Sequence, residues 1–147
     1  MQEARTAPHP RPGASVAVFR GDDVLLVQRG KRPYDGCWSL PGGEIQWGET
    51  AADAARRELK EETGLLALTL TLGDVADGIL KDGMGAVTSH FTIVVFATRD
   101  VEGELAPASD AAAAVFLGRE ERARLQRTPG LESAIENARR ALERGRS

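Results

Sequence analysis

Apolar residues run almost without a break through 14–20 (ASVAVFR) and again through 24–29 (VLLVQR), with GDD between them. Valine-rich runs of this length predict two strands, and GDD predicts the hairpin turn joining them. GKRPYDG (30–36) is loop, CWSL (37–40) is a brief extended piece, and PGG (41–43) stops it. The pattern then changes period. AADAARRELKEET (51–63) contains only helix-compatible residues, with Thr50 placed to cap its start and Gly64 to end it. Asp53 stands in the capping-box position. Residues 65–80 return to a β-rich pattern, and the glycines at 83 and 85 predict a mobile loop over 81–89. HFTIVVFATR (90–99) is the strongest apolar run and predicts a central strand. AAAAVFLG (111–118) reads as another strand and REERARLQR (119–127) as a short helix. A last helix is expected over 130–144, with Pro129 in its first turn. Leu131, Ile135, Ala138 and Leu142 form its apolar face.

Strands before, between and after helices predict one layered α/β (α+β) domain over 14–145. Prolines at 8, 10 and 12 make 1–13 an extended, mobile lead-in. The length of 147 residues suits one domain. Formal charge is −3, which gives no electrostatic case for binding nucleic acid or an anionic membrane. No apolar run is long enough for a bilayer span, the N-terminus lacks a secretory core, and the cytoplasm is the default location. The single cysteine, Cys37, excludes an internal disulfide and reads as a small half-buried filler.

The chemistry concentrates in LPGGEIQWGETAADAARRELKEETGL, residues 40–65. On a helix at about 100° per residue, Glu58, Glu61 and Glu62 fall within an arc of about 100°. Like charges at these spacings repel, and they sit near the helix C-terminus, where anions are disfavoured. Stability alone would not select them. A divalent cation reverses the sign, because clustered carboxylates become ligands. Ala52, Ala55 and Leu59 border this arc, so the helix can lie close to the Gly42–Gly43 turn, whose bare carbonyls are potential ligands. Arg57 and Glu61 form an i, i+4 pair of opposite charge, and Arg57 can also reach back to Glu49.

Gly43, five residues, Glu49, seven residues, Arg57-Glu58-Leu59, one residue, Glu61-Glu62, one residue, Gly64-Leu65: this spacing resembles the Nudix box without a mismatch. Seven fixed residues at roughly one in twenty each give about one chance match in a billion starts, which disposes of a merely solvated helix. The resemblance extends to the strand pair before the box, to WSLPGG leading into it, and to the strands and helix after it. It implies a metal-dependent pyrophosphohydrolase that cuts a nucleoside diphosphate linked to another group, such as a nucleoside triphosphate or an ADP-ribose-like molecule. The implied fold is an α/β/α sandwich with a mixed β-sheet between helices. Glu58 and Glu62 then match the main Mg²⁺ ligands, Glu61 a further ligand and Gly42 a carbonyl ligand, with Mn²⁺ able to substitute. Glu49 and Arg57 match a structural and orienting pair, and Glu58 or Glu61 becomes the expected activator of water.

The sequence departs from some members downstream. Val115 stands where tryptophan is common, and Asp110 is the only acid nearby, so a box glutamate is the expected base. No proline follows the box until Pro107, and the only tyrosine is Tyr34. Arg29, at a strand end, is a candidate phosphate contact. Trp38 and Tyr34 could stack on a base, although core packing is the alternative expected for Trp38. Trp47, in the loop of the box, either shields the metal or is simply exposed. His90 reads as structural, and Asp74, Asp77 and Asp82 read as loop solvation. The competing reading is a nucleotide-sensing module without catalysis, but such a module usually loses a box glutamate, and none is missing here. The expected partner is a small nucleotide; oligomeric state stays open, a homodimer included.

Overall fold

The structure, a computed structural model, describes residues 7–106 and 111–145. β1 (Arg11–Arg20) and β2 (Asp23–Arg29) form the expected hairpin, with Gly21 at φ 61° in the turn between them. β1 starts three residues ahead of the apolar run. Arg11, Pro12 and Gly13, the end of the expected lead-in, are therefore in the sheet, opposite Phe91, Thr92 and Ile93. β3 (Trp38–Ser39) and β4 (Gly42–Glu44) follow, so the glycine pair that reads as a stop is itself a short strand, antiparallel to β1. α1 (Ala51–Thr63) has the boundaries its caps predict. The Thr50 side chain accepts from the Asp53 N–H, and Gly64 closes the helix at φ 80°.

Beyond α1 come β5 (Leu66–Ala67), β6 (Thr71–Lys81), β7 (Val87–Thr98), β8 (Val101–Glu102) and β9 (Ala111–Leu117). The loop expected over 81–89 shrinks to a turn, because both strands of the β6–β7 hairpin extend into it. Asp82 holds that turn by accepting from the Met84 and Ala86 N–H groups. α2 (Arg119–Ala123) is shorter than expected, and α3 (Leu131–Arg144) starts two residues after Pro129.

The main sheet has the order β3-β2-β1-β7-β6, with β4 also on β1 and β9 also on β2. β1 and β7 run parallel while their other neighbours are antiparallel, so the sheet is mixed. Its two faces divide β1 by parity. Ala17 and Phe19 pack with Val24, Leu26, Val95 and the α3 residues Leu131, Ile135 and Ala138. Val16 and Val18 pack the other way, with Leu25, Leu59 of α1 and Leu65. A strand covered on both faces must be apolar at successive positions, which is why 14–20 reads as a continuous run rather than an alternation. Each fully buried Val or Leu here contributes about 1.5–3 kcal/mol of transfer free energy. The result is a sheet between helices, α1 on one face and α3 on the other.

Candidate active site

α1 is the platform of the site. Ala54, Ala55, Leu59 and Thr63 are its buried stripe, and Ala14 of β1 packs on the two alanines. Small side chains bring the helix axis close to the sheet. Ala54 rather than Ala52 completes that stripe, which moves the contact toward β1. The approach explains the two adjacent glycines. A Cβ on Gly42 would lie 2.5 Å from the Ala14 carbonyl oxygen, and a Cβ on Gly43 would lie 2.5 Å from the Glu58 carboxyl group. Gly42 is closed to any side chain because the clash is with the backbone of β1, whereas a side chain at Gly43 would have to displace the Glu58 carboxyl group.

Arg57 organises the carboxylates around it. Its Nε and Nη2 donate to the two oxygens of Glu49 at 2.8 and 3.0 Å, a bidentate pair. Nη1 donates to Glu58 at 2.8 Å and to Glu61 at 3.3 Å, and Nη2 also donates to the Glu44 carbonyl. Glu49 in turn accepts from the Gln46 N–H, which fixes the loop before α1. The Arg57 hydrogen bond, with the Gln46 N–H, holds the Glu49 carboxyl below its usual range. Both pairings expected of Arg57, with Glu49 and with Glu61, are present. The Glu44 carbonyl is the contact that sequence reasoning missed, since every residue carries one and none advertises its use.

Glu62 is set differently. Its Oε1 accepts from the Gly42 N–H at 3.0 Å. Burial pushes its carboxyl well above the ordinary range, and the adjoining Glu58 adds to the rise; the Gly42 N–H and the charge of Arg29 oppose it. Two carboxylates thus stand together, one of them substantially desolvated. Glu61 is about half exposed and is held by Arg57. Among the described residues, no three carboxylate, imidazole or thiolate groups gather into a complete cage. The donor set fits Mg²⁺ on chemical grounds. That cation takes oxygen ligands, usually one or two carboxylates, and completes its shell with water and substrate phosphates.

The remaining candidates divide. Arg29, at the end of β2, donates through Nε to the Pro33 carbonyl, and its charge reaches Glu62, so it belongs to the site's surroundings. Trp38 is half-buried against the α3-side core, and its backbone bonds to Gln126 and Thr128, which matches core packing. Trp47 is fully exposed. Asp74 lies in β6 and accepts from the Asn137 side chain, so it is an inter-element contact rather than a solvated loop acid. Asp110 lies outside the described residues.

The NUDIX domain family model matches residues 9–138. An ADP-ribose pyrophosphatase of Methanocaldococcus jannaschii is 34% identical over 79% of this chain and 66% of its own length. An 8-oxo-dGDP phosphatase of Mus musculus is 40% identical over 65% of this chain and 28% of its own length. The chain thus spans just under two thirds of the first curated relative and little more than a quarter of the second. The crystal structure of a MutT NUDIX hydrolase from Burkholderia pseudomallei superposes with a TM-score of 0.78 at 28% identity, covering 88% of this chain and 98% of that one. With the complete box running from β4 through α1 to its C-cap and a family model matching most of its length, the chain belongs to the Nudix hydrolase family.

Proposed function

We propose that this protein hydrolyses a pyrophosphate bond in a nucleoside diphosphate linked to another moiety, using Mg²⁺ or Mn²⁺. The observation that carries the reading is the arrangement around Arg57 and Glu62. One guanidinium restrains Glu49, Glu58 and Glu61, while the Gly42 N–H restrains Glu62 beside Glu58. Glu58, Glu62, Glu61 and the Gly42 carbonyl would hold the cation, which neutralises the diphosphate and acidifies water. Arg57 fixes the direction of the carboxylates and so limits the reorganisation needed during reaction. Glu61, the more exposed carboxylate, receives the proton from the attacking water, with Glu58 as the neighbouring acceptor. The water oxygen bonds to one phosphorus, the anhydride P–O bond breaks, and the second phosphate leaves with the electron pair. Arg29 supplies positive charge to the phosphates from the end of β2. Among substrates, ADP-ribose and oxidised guanine nucleotides are the classes named for the relatives, and both contain the required anhydride.

The test is a panel of ADP-ribose, 8-oxo-dGTP, 8-oxo-dGDP and unmodified nucleoside triphosphates with Mg²⁺, with products separated by chromatography. Cleavage of an anhydride, leaving two phosphate-bearing products or a nucleotide and inorganic phosphate, is expected for at least one class. Absence of turnover across the panel with either metal would overturn the proposal.

A further inference from the structure

Of the seven exposed large apolar side chains among the described residues, five lie on β6, on β7 or in the turn joining them: Leu72, Val75, Ile79, Met84 and Val87. β6 is the outer strand of the sheet, with β7 as its only strand partner among the described residues. Solvent-facing edges of this length are usually blunted by charge, proline or a covering element, because their free N–H and C=O groups template pairing with another strand. α3 reaches this strand near Gly73 and Asp74. From Asp74 to Lys81, β6 is regular. The extra residue at one ladder irregularity is Gly73, before this segment, and at the other it is Thr88, on β7. Val75, Asp77, Ile79 and Lys81 therefore share one face, and all four are exposed. Asp77 and Lys81 carry opposite charges, and neither has an ion-pair partner among the described residues.

We propose that β6 pairs antiparallel with β6 of a second copy of this chain, about a two-fold axis at Ile79. Such an axis, normal to the sheet, keeps each face on its own side, so exposed residues meet exposed residues. With the axis at Ile79, the two Ile79 side chains face each other and Asp77 of each copy faces Lys81 of the other. Shifting the axis to Asp77 sets two carboxylates opposite each other. Shifting it to Gly78 puts Lys81 against Val75 and Asp77 against Ile79. Cross-strand pairs are the unit of sheet stability, and opposite charges favour a register while like charges oppose it. The Ile79 register is the one that matches Asp77 with Lys81, and it satisfies the exposed backbone of both edges at once. The turn carrying Met84 then lies beside Val75 of the other copy.

Sedimentation equilibrium of the full chain over about 1 to 100 μM tests this, since a self-associating chain changes mass with concentration. The wild type is expected to reach dimer mass. Asp77→Lys or Lys81→Asp alone sets like charges across both pairs and is expected to weaken the dimer by about tenfold or more. The double variant, Asp77→Lys with Lys81→Asp, exchanges the charges and is expected to restore wild-type association. Ile79→Asp, with two carboxylates on the axis, is expected to be monomeric. A wild type that stays monomeric throughout, which would leave this edge to some other partner, overturns the proposal. So do single variants that associate as tightly as wild type, or a double variant that fails to recover.

Discussion

Glu62 holds a buried carboxyl beside Glu58, near the C-terminal end of α1 where the helix dipole disfavours anions. Glu62→Gln keeps the shape and removes the charge. We expect kcat to fall by about 10² to 10⁴, as for loss of a group that stabilises the transition state. The melting temperature should hold or rise, because burial already favours the uncharged acid here and the amide removes what charge remains beside Glu58. Unfolding, with activity per folded molecule unchanged, would make the residue structural instead. The base is tested by a pair of variants at saturating Mg²⁺. Glu61→Gln should lower kcat, with KM little changed, while Asp110→Asn should be nearly silent. A large loss in the second and none in the first would reverse the assignment.

The connection between α2 and α3 depends on one buried cation. Arg122, 2% exposed, donates to both oxygens of Glu132 at 2.9 and 3.0 Å and to the Leu117 carbonyl. The Arg122 hydrogen bonds hold the Glu132 carboxyl below its ordinary range. A depressed folded-state value means that this contribution is complete above the unfolded carboxylate value, about 4.3, and is lost as pH falls through the lower folded value. Glu132→Ala leaves the guanidinium with unmet donors and should cost about 1–3 kcal/mol at neutral pH. Denaturant unfolding should show the gap between variant and wild type narrowing as the buffer is taken to about pH 3, below the unfolded carboxylate value. A gap that does not depend on pH would mean the loss is packing rather than charge.

For the molecule as a whole, the carboxylates of α1, the backbone of β4 and the end of β2 meet because α1 is packed on the sheet, through Ala54 and Ala55 against Ala14 and through Leu59 against Val16, Val18 and Leu25. Gly43→Ala should disturb that arrangement without touching a carboxylate chemically, since its Cβ falls on the Glu58 carboxyl. The expected result is a folded protein with strongly reduced turnover. Wild-type kinetics in a folded variant would show that Glu58 has freedom to move aside. Hydrolysis should also require Mg²⁺ or Mn²⁺ and vanish in excess chelator. Full turnover by protein verified as metal-free would refute the cation's role.

α1, its caps and the carboxylate arc are local properties: 3.6-residue periodicity, a threonine that can accept a backbone N–H and a glycine that tolerates positive φ all lie within 15 residues. They were legible in the sequence, as were β1 and β2, whose unbroken apolar runs reflect burial, and β7, whose apolar run is half-buried over most of its length. The Nudix resemblance rested on the same local spacing. Other features needed the fold. β4 reads as a stop because two glycines carry no side-chain signal, yet pairing with β1 makes it a strand. The loop expected at 81–89 became hairpin because the β6–β7 ladder extends to its ends, a pairing energy invisible to either segment alone. The paired carboxylates divide for the same reason. Sequence placed Glu58, Glu61 and Glu62 on one arc, but only tertiary packing buried Glu62 against β4 and turned Glu61 to solvent beside Arg57. Burial and approach distance depend on what lies opposite, and what lies opposite comes from a distant part of the chain.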